Sequence, residues 1–164
     1  MRRIGVYTGS FDPVTLGHLH IIRRATRLFD ELVVGIGINT EKRSLFEPQE
    51  RIELISQVTE DISNLRIETF DGLAVDFVRD CNATVMVRGI RPLTDIAGEF
   101  TMMMANRQLD DTIETVFLMA DEEFAHISSS LLKQIATLSD DDHRLAKFVP
   151  EAIIPRLREK LRQQ

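Results

Sequence analysis

Ile4-Gly5-Val6-Tyr7-Thr8-Gly9-Ser10-Phe11-Asp12-Pro13-Val14-Thr15-Leu16-Gly17-His18 is the stretch from which the fold can be read. Its first five residues form a short apolar, β-branched run of the kind that makes a buried strand. Gly9 and Pro13 then break the strand and turn the chain, and a helix begins near Thr15 to His18. A helix start carries unsatisfied N–H groups and a partial positive charge, so it can hold a phosphate. Ser10 adds a hydroxyl donor beside it. Thr15 and His18 are three residues apart and share a helix face, about 60° from one another. That face can present an imidazole donor to a phosphate. The same spacing also suits an ordinary strand–turn–helix in which Asp12 or Thr15 is only the cap.

Outward from this stretch the pattern alternates. Further strands are expected at 32–38, 65–70, 84–87 and 113–119, with amphipathic helices at 17–29, 48–59, 74–81 and 95–109. Pro48 fits the first turn of its helix, where a missing N–H costs little. Strand alternating with helix implies an α/β domain: a doubly wound, five-stranded parallel sheet covered on both faces. Helices at 128–138 and 151–163 follow as a C-terminal appendage, with Pro155 kinking or delaying the last. Nothing breaks residues 1–164 into two domains, and there is no repeat or low-complexity tract. Ligands of such sheets sit beyond the carboxyl ends of the strands, so the chemistry is expected in residues that directly follow strands.

Composition narrows the function classes. The chain has 164 residues, 43% hydrophobic and 28% charged, which suits a folded domain and no membrane span. Cys81 is its single cysteine, so no intrachain disulfide forms. The start lacks the apolar core and cleavage site of a secretory signal, and a cytoplasmic location is the expectation. Twenty Lys and Arg against 26 Asp and Glu leave a net charge of −6, which argues against nucleic acid or an anionic membrane as partner. A small anionic ligand needs only a few well-placed positive groups.

Three further motifs supply such groups. Lys42 follows the second strand, where a mobile ammonium can reach phosphate or simply be a solvated surface charge. Arg88-Gly89-Ile90-Arg91 follows the fourth strand. Its glycine permits close backbone approach and its two guanidiniums can fork onto phosphate oxygens, or else form surface salt bridges. Ser128-Ser129-Ser130 starts a helix after the last strand, as a second phosphate cradle or as a plain N-cap. His18 and His20 lie about 200° apart on a helix and cannot share one metal ion. No metal-ligating set is expected. The Met102-Met103-Met104 run reads as core or interface filler.

These motifs, in this order and spacing, resemble those of the phosphopantetheine adenylyltransferases, bacterial-type members of the nucleotidyltransferase superfamily marked by a T/H-x-G-H motif. The resemblance rests on Gly9 to Pro13 with Thr15-Leu16-Gly17-His18, on Lys42, on Arg88 to Arg91 and on Ile127 to Ser130, and it spans most of the chain. It implies a Rossmann-like nucleotidyltransferase fold, ATP and 4′-phosphopantetheine as substrates, Mg²⁺ as cofactor and a homohexamer. It also implies roles. His18, Lys42, Arg91 and Ser10 would be catalytic. ATP would be met by Ser10, Phe11, His18, Gly89, Ile90, Arg91 and Glu99, and by Phe124, Ala125, His126, Ile127, Ser128, Ser129 and Ser130. Phosphopantetheine would be met by Ser10, Lys42, Ala74 and Arg88. The chain departs from the family pattern at Ile96, Ala97 and Gly98, where aromatic and acidic residues are usual. It departs again at Ala74, where a larger apolar residue is common, and at Pro92.

Overall fold

The computed structural model describes residues 2–38, 43–91 and 94–163. Lys42 and Pro92 therefore lie outside the described residues. The strands are β1 (Ile4–Gly9), β2 (Glu31–Gly37), β3 (Leu65–Phe70), β4 (Val85–Ile90) and β5 (Glu114–Met119). Between them run α1 (Leu16–Ala25), α2 (Pro48–Val58), α3 (Ala74–Asp80) and α4 (Ile96–Leu109). All pairings are parallel, and the order across the sheet is β3-β2-β1-β4-β5. The chain thus winds outward from β1 in one direction through β3, then crosses back to β4 and β5. The switch point falls between β1 and β4, which places the binding crevice at their carboxyl ends.

Strand alternation divides the core. Tyr7, Val34 and Val87 face one layer with Ile21, Ile22 and Leu54 from α1 and α2. Val6, Val33 and Met86 face the other, with Val75, Phe77 and Val78 from α3. Both faces are buried, so the strands read as continuous apolar runs.

Two boundaries differ from the sequence expectation in ways that matter for the site. Gly89 was expected to follow a strand ending at residue 87, yet β4 continues to Ile90. Arg88, Gly89 and Ile90 pair with Phe117, Leu118 and Met119 of β5, and this ladder overrides the glycine's weak strand preference. Arg91 alone of that motif lies beyond the strand.

The C-terminal segment is no appendage either. It forms α5 (Ser129–Leu138), α6 (Asp142–Leu145) and α7 (Ile154–Arg162), the last preceded by a 3₁₀ turn at Glu151–Ile153 and holding Pro155 in its first turn. Leu132, Leu145, Ile153 and Leu157 are fully buried in the same layer as α1 and α2. Leu16 N–H donates to Phe148 O at 2.9 Å, so the start of α1 is tied to this segment. The C-terminal helices thereby fix the end of the crevice from which α5 begins.

Candidate active site

The turn after β1 is anchored from below. Asp12 is buried, and its carboxylate accepts from Leu45 N–H at 2.9 Å and Phe46 N–H at 2.8 Å. Its Oδ2 also accepts from Lys133 Nζ of α5 at 3.2 Å. Buried Arg51 donates to Phe46 O at 2.8 Å and to Ser10 O at 3.1 Å. Three segments that end at the crevice are therefore knotted together beneath it. Asp12 serves the loop after β2 and is not the helix cap.

The cap is Thr15. Its hydroxyl accepts from His18 N–H at 3.3 Å, while Thr15 N–H donates to His18 Nδ1 at 3.1 Å. This reciprocal capping box, with histidine in the place usually held by Glu or Gln, settles the imidazole. Nδ1 accepts, so the neutral ring carries its proton on Nε2. Phe11 meets the ring edge-on, 5.0 Å between centroids. Burial first, and then the charges of Arg91 and Arg88, pull His18 from the usual 6.5 down to about 4. At neutral pH it is an uncharged, pre-aimed N–H donor. Thr15→Ala removes the hydroxyl cap but keeps the backbone N–H that holds Nδ1. It is expected to cost about 1 kcal/mol in urea unfolding, with a loss of turnover well below that of removing His18 itself.

Two arginines flank the imidazole. Arg88 in β4 donates from Nε and Nη2 to Glu99 Oε2 and Oε1 at 2.7 and 2.6 Å, and from Nη1 to Thr8 O at 2.7 Å. Arg91 donates from Nε and Nη2 to Asp95 Oδ2 and Oδ1, each at 2.7 Å, and from Nη1 to Ile127 O at 3.2 Å. Each arginine is ion-paired, as the salt-bridge reading had it, and each also lines the cavity. Burial alone would lower Arg88, but Glu99 outweighs it and holds the guanidinium above its ordinary value. Gly89 has a second reason to be glycine, since a Cβ there would meet Ile21 Cγ1 at 3.0 Å and crowd that side chain of α1.

Around these groups lies a cavity of about 310 Å³. Ser10, Phe11, His18, Gly89, Ile90 and Arg91 line it, as do Arg88, Glu99, Phe124, Ile127, Ser128, Ser129 and Ser130. Ser128 is the N-cap of α5, accepting from Leu131 N–H at 3.1 Å. Ser129 donates to Pro13 O at 2.9 Å, which holds this helix start against the β1 turn. Ala125 and His126 are not on the cavity wall; the His126 ring packs edge-on against Phe148, 5.7 Å away. Ala74 lies in a second, adjoining cavity of about 650 Å³ with Phe70, Met102 and Asn106. The two cavities share Thr8, Gly9, Ser10 and Arg88, which form the sill between them. Gly98 borders open space, with nothing within 4 Å of its Cβ position, and lines neither cavity.

Sequence reasoning missed Asp95, Thr8 and Tyr7. Asp95 sits four residues before Glu99 and four after Arg91, a spacing that puts it within reach of both the helix face and the arginine. That spacing was the available signal. Tyr7 is buried beneath the cavity, and burial pushes its phenol well up, so it stays neutral.

A family profile described as cytidylyltransferase-like matches residues 6–135. A phosphopantetheine adenylyltransferase from Rhodopirellula baltica is 75% identical over 158 residues, covering 96% of this chain and 88% of its own. The chain belongs to the phosphopantetheine adenylyltransferase family. A second member, from Caldanaerobacter subterraneus, is 44% identical over 161 residues, covering 98% of this chain and 99% of its own. Among solved structures, the Plasmodium falciparum nicotinic acid mononucleotide adenylyltransferase complexed with NaAD aligns with a TM-score of 0.71 at 16% identity. That alignment covers 99% of this chain and 96% of the other, and at such identity it bears on the fold alone. The fold is accordingly the Rossmann-like nucleotidyltransferase one, with Thr15-Leu16-Gly17-His18 beside the switch point of the sheet.

Proposed function

We propose that the chain transfers the adenylyl group of ATP to 4′-phosphopantetheine, giving 3′-dephospho-CoA and pyrophosphate. The observation that carries this reading is His18, locked by Thr15 as a neutral Nε2 donor at a cavity shared with two clamped arginines. In the reaction a phosphate oxygen of the acceptor attacks the α-phosphorus, the new P–O bond forms, and the bond to the leaving pyrophosphate breaks. The nucleophile is already an anion, so the protein needs no covalent intermediate and no strong base. It must align two repelling polyanions and stabilise the charge that builds on the α-phosphate.

His18 Nε2–H donates to a non-bridging α-phosphate oxygen. Arg91 and the first-turn N–H groups of α5 hold the β- and γ-phosphates. Arg88 and Ser10, on the sill between the cavities, meet the acceptor phosphate, and Ala74 lies on the pantetheine side. Lys42, which lies outside the described residues, would add a positive charge to the reacting phosphates.

Mg²⁺ accompanying ATP would supply charge neutralisation on the triphosphate. Among the described residues no group of three His, Cys, Asp or Glu gathers to hold an ion, and the carboxylates of Asp95 and Glu99 at the cavity are committed to arginines. That donor set suits an ion carried by phosphate oxygens and water, which neutralises charge on the triphosphate.

Two further expectations belong to this reading. The exposed apolar side chains of α4, Phe100, Met102 and Met104 among them, suit a homohexamer, which sedimentation would test. A cytoplasmic location is the second expectation; no described helix is long and apolar enough to cross a membrane. The reaction itself is tested by pyrophosphate release from ATP with phosphopantetheine, nicotinamide mononucleotide or glycerol phosphate as acceptor. Release with phosphopantetheine is expected. Release with another acceptor alone points to a different transferase, and ATP binding without release on any of them to a sensor.

A further inference from the structure

Arg91 has five N–H donors, and the structure accounts for three of them. Nε and Nη2 fork onto the two oxygens of Asp95, and Nη1 donates to Ile127 O. Among the described residues no acceptor takes the remaining hydrogen on each terminal nitrogen, which leaves both for a ligand. Asp95 is itself held from several sides. Its Oδ2 accepts from the backbone N–H of Arg91 at 3.0 Å, and its Oδ1 from the Thr94 hydroxyl at 2.9 Å. Its side chain is only 18% exposed although it stands at the cavity wall. Burial would raise its carboxyl, but the hydrogen bonds from Arg91 and Thr94 outweigh it and keep the group ionised. The clamp cannot turn freely: two parallel hydrogen bonds fix the plane of the guanidinium, and the third fixes its tilt toward the start of α5.

From this geometry we infer that Asp95 is a positioning residue for the adenylyl transfer, presetting Arg91 so that its two remaining N–H groups face the triphosphate without a search among rotamers. The inference rests on the proposed placement of Arg91 on ATP. A second carboxylate one helical turn along, Glu99, holds Arg88 in the same forked manner. The first turns of α4 thus carry two separate clamps, one for each arginine, and a change in Asp95 leaves the Arg88 clamp intact. Arginine in solution spreads over many rotamers, and ordering a long side chain at the moment of binding is a real entropic cost. A preset guanidinium avoids that cost and places its donors where charge develops.

The test is a double-mutant cycle on the full-length protein, read as kcat and as KM for each substrate. Asp95→Asn keeps the shape but offers an amide group where Arg91 needs a second acceptor. It is expected to lower kcat by about 10–100-fold, as misplacement of a catalytic group does, with KM for phosphopantetheine unchanged. In an Arg91→Ala background the same substitution is expected to leave kcat unchanged, within about 2-fold, because Asp95 acts on the rate only through Arg91. A merely structural role would lower activity in both backgrounds alike. Thr94→Val removes one hydrogen bond to the carboxylate, and a loss of about 2–5-fold in kcat with the same KM pattern is expected. That milder variant carries the test should Asp95→Asn fail to fold, and an unchanged kcat for it then overturns the inference. Wild-type kcat in Asp95→Asn, or an equal loss in both backgrounds, overturns it too. Full activity of Arg91→Ala would instead overturn the placement of Arg91 on ATP, and this inference with it.

Discussion

Replacing His18 with alanine is expected to cut turnover by about 10²–10³-fold while ATP affinity, measured by calorimetry, changes little. The size follows from what the imidazole is arranged to do. On the proposed placement, a neutral N–H donor would make a modest hydrogen bond to ground-state ATP, whose charge would be spread and shared with Arg91 and the start of α5. The bond strengthens only as charge gathers on the α-phosphate oxygens, so the loss falls on the rate. Near-normal turnover in the variant would overturn the assignment. The low pKa makes a separate prediction. The His18 ring is expected to titrate near pH 4 by NMR in place of the usual 6.5, and so to stay neutral through the physiological range. Since the folded value lies below the unfolded one, the unfolded chain takes up a proton between pH 6.5 and about 4 that the folded chain refuses. His18 therefore makes the protein less stable as the pH falls through that window, and a variant without it should lose stability less steeply there.

The parts of this site written in local sequence were legible, and those created by tertiary contact were not. Gly9 and Pro13 stop β1, and a histidine three residues after a threonine is enough to place both on one face of α1, where the capping box forms. The alternation of apolar runs with amphipathic segments gave the parallel sheet, because a strand buried on both faces has few other homes. Gly89 misled, since a glycine argues locally against a strand, whereas β5 supplies the ladder that carries β4 to Ile90. Asp95 was passed over for the opposite reason. A carboxylate at a helix N-cap is expected there in any case, for the helix dipole, so its four-residue spacing from Arg91 did not by itself mark it as the partner of that guanidinium. The burial of α5 to α7 in the same layer as α1 was likewise hidden, because periodicity shows which face of a helix is apolar but not what it meets.

Arg91→Ala is expected to lose both ATP affinity and rate, unlike the loss at His18. Its two remaining N–H groups are charge-assisted donors, and bonds of that kind are worth about 1.5–3 kcal/mol each, so loss of even one corresponds to a fall in ATP affinity of about 10–100-fold. A further effect adds to this. The cation that Asp95 faces is removed while the carboxylate stays, so a partly buried negative charge would be left unbalanced beside the triphosphate. The polyanion would then meet repulsion where it had met a guanidinium, and the reacting phosphates would shift relative to His18 Nε2. Loss of alignment at that distance from the chemistry is expected to cost a further factor of about 10² in turnover. Double replacement with Asp95→Asn removes the stranded charge and should restore part of the ATP affinity but none of the rate, because the neutral pair relieves the repulsion and supplies no donor. Calorimetry separates these effects directly: unchanged ATP affinity in Arg91→Ala would contradict the placement of this residue against the triphosphate.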